Sequence, residues 1–184
     1  MARAVGPSRE QLQAAYGAVV PDLVGPGMRV LLCGINPSLW SGAVGLHFAN
    51  PSNRLWPVLH GAGWTERRLD PAQTEAVLAA GLGITNLVLR ATARADELSD
   101  DEIRAGLPQV AALAERWQPA WVGFLGMTAY RTATGHRKAV VGPQDEPLGG
   151  APVWLLPNPS GLNASWQLPR LISAYAELRG VSRG

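Results

Sequence analysis

The segment VLLCGINPSLWSGAVGLHFANPSN, residues 30–53, decides how this chain is organised. It starts as an apolar run typical of a buried strand and continues into Gly, Asn, Pro and Ser, the residue types that form turns. It contains no Lys, Arg, Asp or Glu over its whole length. Because charged side chains normally occupy exposed positions, a long uncharged loop with an Asn-Pro at its start raises the question of what it binds.

Three further apolar runs resemble the one that opens this segment. Each run is nearly continuous in hydrophobicity, as expected for parallel strands that are covered on both faces. The four predicted strands are RVLLCGI (29–35), GITNLVL (83–89), AWVGFLG (120–126) and PVWLLP (152–157).

Helical patterns separate the predicted strands. Ser8 with Gln11, and Ser99 with Glu102, have the spacing of capping boxes. Apolar spacing and cap signals predict helices over 53–60, from Asp70-Pro71 into 72–81, over 103–117 with a possible kink at Pro108, over 126–134 and over 169–180. Strands that alternate with helices predict an α/β domain with a parallel sheet.

Composition predicts one globular domain, 1–184, with short loose termini. The chain has 184 residues, of which 47% are apolar and 16% charged. The pI is about 9.1 although the net charge is only +2, and Lys138 is the sole lysine. Arginine favours phosphate, but a GC-rich genome that encodes Arg in place of Lys explains the bias equally well.

The sequence predicts a cytoplasmic, nucleoid-associated protein that does not contact a membrane. No apolar run approaches the length of a membrane span, and the N-terminus MARAVGPSREQ has no apolar signal core. Cys33 is the only cysteine and lies within an apolar strand, so a buried structural thiol is expected.

Two of the predicted strands end in the same way. VLLCGINPSL and VWLLPNPSGL each run from an apolar strand into Asn-Pro-Ser and then Leu. Ligands of open parallel sheets bind beyond the carboxyl ends of the strands, so both turns are expected at one mouth. One Asn-Pro is most simply a turn, whereas two copies at equivalent strand ends favour a site. An amide side chain donates and accepts hydrogen bonds but is a very poor base.

These segments carry a resemblance to a known family. GINPSLWSGAVGLHFANPSNRLW (34–56) and LPNPSGLNA (156–164) closely resemble the two signature segments of the mismatch-specific uracil-DNA glycosylases, relatives of thymine-DNA glycosylase. GITNLVLRATARADELS (83–99) fits as well, and the resemblance spans residues 29–178. It implies a three-layer α/β/α fold with a short, mainly four-stranded parallel sheet. It also implies monofunctional hydrolysis of the N-glycosidic bond of a flipped-out uracil, without a metal or a cofactor.

The resemblance implies a catalytic amide. Asn36 matches the residue that positions the attacking water. Asp96 is a second catalytic candidate, because it follows the second strand at the same edge of the sheet. A carboxylate there could activate water, although capping of the next helix is an equally good explanation. Thr85 and Asn86 are also expected to approach the pocket.

The resemblance also implies a neutral pocket for a flat base, which explains the uncharged loop. Phe48 matches the stacking residue, with His47 beside it. Backbone N–H groups around Ile35, Ser38 and Phe48 are expected to bind the base carbonyls. Ser41 lies where the pocket wall meets C5 of the base, so the small residues there suggest tolerance of 5-substituted uracils or other altered pyrimidines.

The second motif is expected to contact DNA. Leu162 matches the wedge that fills the space left by a flipped base, and Gly161 allows close approach of the backbone. The other predicted DNA-contacting or loop-supporting residues are Asn158, Ser160, Asn163 and Arg54.

The leading hypothesis is a DNA repair hydrolase that acts as a monomer on duplex DNA with a G·U mismatch. No lysine lies in either motif, so a Schiff base and strand cleavage are not expected. No metal site is expected, because the histidines do not cluster with carboxylates. A non-catalytic binder of mismatched or damaged DNA and a small-molecule nucleotide hydrolase are the alternatives. An exposed wedge argues against the latter.

Overall fold

The computed structural model describes residues 6–182, and the ends predicted to be loose lie largely outside them. One five-stranded sheet forms its centre, with strands β1 Val30–Gly34, β2 Leu82–Asn86, β3 Trp121–Leu125, β4 Gly142–Leu148 and β5 Ala151–Leu156. Their order across the sheet is β2-β1-β3-β5-β4. The four strands predicted from apolar runs pair in parallel, which confirms the expected fold class.

The antiparallel edge strand β4 was not predicted. Its sequence, GPQDEPL, contains two prolines and two carboxylates, and most of its side chains are exposed or only partly buried. Such residues are tolerated at a sheet edge, where one side of the strand needs no hydrogen-bonding partner. Within residues 6–182 the strand pairs only with β5, and its register shifts between Gln144 and Leu148.

Eight α-helices of the described residues flank the sheet. Their bounds are α1 Arg9–Ala14, α2 Leu39–Val44, α3 Leu55–Gly61, α4 Thr74–Ala79, α5 Asp100–Ala105, α6 Leu107–Trp117, α7 Met127–Thr134 and α8 Leu168–Val181. None of these helices is long and apolar enough to cross a membrane.

Two separate apolar cores make the molecule three-layered. Val30 and Leu32 of β1 face one core, which includes residues of α3, α4 and α8. Leu31 and Cys33 face the other core, with residues of α5, α6 and α7. Neighbouring residues of a strand point to opposite faces, so the continuous apolar runs supply both cores. Burial raises the pKa of the Cys33 thiol, in keeping with a structural role.

Both capping boxes that the sequence predicted are present in the structure. Ser8 Oγ accepts a hydrogen bond from the backbone N–H of Gln11 at 3.2 Å, and Ser99 Oγ accepts one from Glu102 at the same distance. In both cases the side chain of the later residue accepts a bond from the backbone of the cap, which completes the capping box.

Two helix predictions were wrong in detail. Asp70 forms a turn, accepting from the N–H of Ala72 at 3.0 Å, and α4 begins only at Thr74. The single helix expected over 103–117 is broken at Gly106. A Cβ atom there would lie 1.9 Å from the Leu87 carbonyl oxygen, so the backbone packs too closely for any side chain. Pro108 lies two residues beyond this break, in the first turn of α6, and it has no N–H to donate to the Arg104 carbonyl. The predicted kink therefore falls at the break.

Helix α2 lies inside the uncharged loop and was not predicted. It begins at the N-cap Ser38, whose Oγ accepts from the N–H of Ser41 at 3.2 Å, and it ends at Gly45 in the left-handed conformation. The helix has only six residues and a neutral composition, so its apolar spacing could not be distinguished from a loop. Its effect is to fold the loop back over the carboxyl end of the sheet.

Candidate active site

A cavity of about 210 Å³ lies at the carboxyl ends of the strands. The segments that follow β1, β2 and β5 line it, and both Asn-Pro turns contribute, through Asn36 and Asn158. No Asp, Glu or Lys lines the cavity, and Arg94 is the one charged residue in the described wall. The uncharged loop supplies about half of the residues in a wall that contains one charged side chain.

Hydrogen bonds fix the orientation of the Asn36 amide. Its Nδ2 atom donates to the Arg90 carbonyl oxygen at 3.1 Å and to Thr92 Oγ1 at 2.7 Å. A carbonyl oxygen only accepts, so the amide nitrogen must lie on this side. Asn36 Oδ1 has no partner among the described residues. It is left to accept a hydrogen bond from a molecule in the cavity.

Thr92 is a functional candidate that the sequence reasoning missed. Its side chain is 2% exposed, and its hydroxyl donates to the Arg94 carbonyl at 2.7 Å. With its proton committed in this way, Oγ1 can only accept from Asn36. The available signal was a hydroxyl residue shortly after the second strand, at the edge that carries the Asn-Pro turns.

An ion pair anchors the backbone that holds Asn36. Arg90 Nε and Nη2 lie 2.6 and 3.0 Å from the two carboxylate oxygens of Glu102. This bidentate pair, together with the Ser99 N–H, lowers the pKa of Glu102 to about 2. The carbonyl of the same arginine accepts from Asn36, so α5 and the catalytic candidate are connected through one residue.

The structure does not place Asp96 in the cavity wall. Asp96 lies in a short 3-10 helix, Ala95–Glu97, where its carboxylate forms an ion pair with Arg94. Its side chain is 60% exposed, and it is absent from the residues that line the cavity. It does not cap α5 either, because Ser99 holds that position.

Phe48 lines the cavity in a backbone conformation that is rare for its residue type. Its φ angle is 50°, in the left-handed region, which costs about 1–3 kcal/mol for a residue other than glycine. Trp56 Nε1 donates to the Phe48 carbonyl at 3.1 Å and holds it there. The ring packs over Gly34, where a Cβ atom would lie 3.0 Å from Phe48 Cζ. Strain of this kind is typical of functional positions.

Asn86 and His47 form a buried polar pair on the cavity wall. Asn86 is 2% and His47 7% exposed. Asn86 Nδ2 lies 3.4 Å from His47 Nδ1, and His47 Nε2 lies 2.9 Å from the Pro21 carbonyl oxygen. Burial lowers the pKa of His47, against the opposing effects of Pro21 and Asp22. Thr85 does not line the cavity, and its hydroxyl donates to Asp22 at 2.6 Å.

Ile35, Ser38 and Ser41, which the sequence predicted at the base-binding pocket, also line the cavity. Ser41 is 2% exposed and has one of the smallest side chains of the wall. Its Oγ accepts from the N–H of Ala49 at 3.2 Å, which ties α2 to the loop that carries Phe48.

The loop after β5 is organised by Arg54. Its side chain donates to the carbonyls of Trp166 at 2.7 Å and Asn163 at 3.0 Å, and to those of Pro159 and Ser160. The guanidinium is therefore a support for the loop, committed to backbone oxygens. The alternative, a phosphate contact through this side chain, would require breaking these bonds.

The remaining residues of this loop divide into supports and an exposed tip. Asn158 Oδ1 accepts from the Ser160 N–H at 2.9 Å, and Asn163 Nδ2 donates to the Asn158 carbonyl at 2.9 Å. Gly161 approaches the Ser52 carbonyl so closely that a Cβ atom would lie 2.5 Å from it. Leu162 is 91% exposed at the rim of the cavity.

Within residues 6–182, no group of three or more His, Cys, Asp or Glu side chains is arranged to hold a metal ion. The cavity wall itself presents amide side chains, backbone groups and an aromatic ring.

Comparison with known proteins agrees with this geometry. The family model of the uracil DNA glycosylase superfamily matches residues 21–179. A similar solved structure is the solution NMR structure of a candidate uracil DNA glycosylase from Methanosarcina acetivorans, at 17% identity and a TM-score of 0.65, over 90% of this chain and 98% of that chain. At this low identity, the structural similarity supports the fold alone. Since the family model covers most of its length, the chain belongs to the uracil DNA glycosylase superfamily, a family of DNA repair enzymes.

Proposed function

We propose that the chain is a monofunctional glycosylase that removes uracil from duplex DNA, preferably opposite guanine, and other altered pyrimidines. The observation that carries this proposal is the free Oδ1 of Asn36, in a cavity that it shares with Phe48 and that has Arg94 as the one charged residue in its described wall. A flipped base has apolar faces and polar edges, which suit such a cavity. A mispaired uracil costs less to flip than a paired one, which gives a preference for G·U.

Asn36 is proposed to hold the attacking water. The water oxygen bonds to C1′ of the sugar, the C1′–N1 bond breaks, and its electron pair leaves on N1 of uracil. The water proton passes to solvent. Because the sugar develops oxocarbenium character, a weak nucleophile in the right place suffices. Family membership supports this chemistry.

The departing uracil is proposed to be stabilised by fixed dipoles. Backbone N–H groups around Ile35, Ser38 and Phe48 supply donors that need no reorganisation as negative charge develops. Phe48 stacks on the base, and the amide of Asn86 beside it binds the polar edge. Ser41 leaves space next to C5, which favours tolerance of substituents there.

The second loop is proposed to contact the DNA duplex. Leu162 fills the space of the flipped base, with Asn158, Ser160, Gly161 and Asn163 ordering the loop behind it. We propose that the protein acts as a monomer at the nucleoid, in the cytoplasm, and leaves an abasic site.

Asp96 is expected to be dispensable. It is exposed, paired with Arg94 and outside the cavity wall. Asp96→Asn should therefore change the single-turnover rate of uracil release by less than about threefold, as is usual for an exposed ion pair. A loss of tenfold or more at saturating enzyme would show that the carboxylate reaches the water.

Thr92→Val is expected to slow uracil release by about tenfold, the effect of one lost hydrogen bond to the catalytic amide. Valine keeps the shape of threonine but cannot accept from Asn36 Nδ2. The amide is then held by the Arg90 carbonyl alone. Single-turnover rates give the effect, and Thr134→Val, remote from the cavity on α7, is the matched control. Equal rates for Thr92→Val and wild type would contradict this role.

The proposed function is tested by single-turnover excision on labelled duplexes that contain G·U or A·U. Release of free uracil, faster from G·U, is the expected result. Specific binding without release would favour a non-catalytic binder of mismatched DNA. Plain duplex should compete for the enzyme, and the competition should weaken steeply with salt. If plain duplex did not compete, the result would support the alternative function, hydrolysis of free nucleotides.

A further inference from the structure

The contacts of Asn86 and His47 determine which nitrogen of the His47 ring carries the proton. His47 Nε2 lies 2.9 Å from the Pro21 carbonyl oxygen, which can only accept, so Nε2 carries the proton. A neutral imidazole has one N–H, and Nδ1 is consequently a bare acceptor. The atom that faces it at 3.4 Å must therefore be the amide nitrogen of Asn86.

This arrangement leaves only one stable orientation for the Asn86 amide. A flipped amide would place its oxygen lone pairs against those of His47 Nδ1 in a buried site, and the unmade bond would be costly. Asn86 Oδ1 instead lies over Gly34, where a Cβ atom would be 2.4 Å from it. Among the described residues it has no hydrogen-bonding partner, and it belongs to the cavity wall.

We propose that neutral His47 is the positioning residue that fixes the Asn86 amide and so makes the pocket select the keto edge of a pyrimidine. This inference rests on the proposed function. Uracil offers an N3–H donor beside the O4 acceptor, which match Oδ1 and the second N–H of Asn86. Cytosine offers an acceptor at N3 and a donor at N4, the reverse pattern. His47 thus acts against cytosine through the orientation of Asn86.

Protonation of His47 would reverse the selection. With a proton on Nδ1, the favourable partner is the amide oxygen, and Asn86 would flip. Burial holds the pKa of His47 below its usual range, so the neutral form dominates at pH 7. Asp22 is the charged group that acts on His47, and its hydrogen bond from Thr85 holds it in place.

The test compares two substitutions of His47. His47→Gln keeps a donor for the Pro21 carbonyl but loses the acceptor that faces Asn86. His47→Asn keeps an acceptor near the position of Nδ1 and loses the bond to Pro21. Each variant, and wild type, is titrated with duplexes that carry 2′-fluoro-2′-deoxyuridine or 2′-fluoro-2′-deoxycytidine opposite an abasic-site analogue. Fluorine slows cleavage, so affinity is measured without chemistry.

Wild type is expected to prefer the uracil duplex, and His47→Gln should reduce this preference by about 10- to 100-fold, mainly through tighter binding of cytosine. His47→Asn should keep the wild-type ratio. A purely structural role for His47 would weaken both duplexes equally in both variants. That result, or no preference in wild type, would overturn the proposal.

The proton assignment has an independent readout. Nitrogen-15 shifts of the His47 ring should show the Nε2–H tautomer at pH 7.5. The wild-type preference for uracil should fall only at a pH below the usual histidine range, because burial lowers the pKa of His47. A Nδ1–H tautomer would overturn the proposal. Absence of uracil release on ordinary duplexes would instead count against the proposed glycosylase activity, since neither readout here requires catalysis.

Discussion

Replacement of Asn36 by Ala is expected to slow uracil release by about 10²–10³-fold, the usual effect of removing one oriented catalytic group. The amide has both donors committed, to Arg90 and Thr92, and its oxygen is free on the cavity side. Alanine removes that oxygen, so the water is no longer held against C1′. Single-turnover rates with enzyme in excess isolate the chemical step.

The variant should still bind its substrate. Stacking, base-edge contacts and the wedge do not depend on Asn36, so affinity for a mismatched duplex should change by less than about threefold. Gln144→Ala, which removes a remote amide from β4, is the matched control and should match wild type. If Asn36→Ala retained most of the rate, another group would have to position the water, and the proposed mechanism would be wrong.

The sheet was predictable because its parallel strands are buried on both faces. Each appears as a continuous apolar run, and each Asn-Pro turn could be assigned to a carboxyl end. The structure brings Asn36 and Asn158 to the same cavity wall, as that reasoning expected. β4 was missed because an edge strand obeys no such pattern.

The site was less predictable, because the sequence does not reveal the direction of a side chain. Asp96 follows β2 at the expected edge, but the turn of the 3-10 helix points it to Arg94 and solvent. Thr92, four residues earlier, is buried and contacts Asn36. Both are polar residues in the same loop, so the sequence does not distinguish their roles. Their hydrogen bonds in the structure do.

Replacement of Arg54 by Met is expected to have the second large effect, on both stability and activity. Arg54 donates to four backbone carbonyls of the loop after β5, and no other side chain could reach them together. Methionine keeps much of the apolar stem but supplies no donor. We expect the free energy of unfolding to fall by about 2–4 kcal/mol, since hydrogen bonds from a charged group contribute about 1.5–3 kcal/mol each and are not additive.

The Arg54→Met variant should lose more activity on duplex DNA than on single-stranded DNA. A loop without Arg54 no longer holds Leu162 at the rim, so release of uracil from duplex DNA should slow by about 10- to 100-fold, in line with the loss of one or two positioning contacts. Release from single-stranded DNA should change much less, because no stack has to be filled. Arg116→Met, on the distant end of α6, controls for the loss of one positive charge.

A double-mutant cycle separates ordering of the wedge from a direct DNA contact. Leu162→Ala removes the wedge and leaves the Arg54 hydrogen bonds in place, because that side chain is 91% exposed. If Arg54 acts through the wedge, the double variant should excise no more slowly than the worse single variant. Additive losses, together with a reduced salt dependence for Arg54→Met, would show instead that the guanidinium binds a phosphate. The carbonyl partners around Arg54 favour the non-additive result, since a side chain that already satisfies four acceptors has little left to offer DNA.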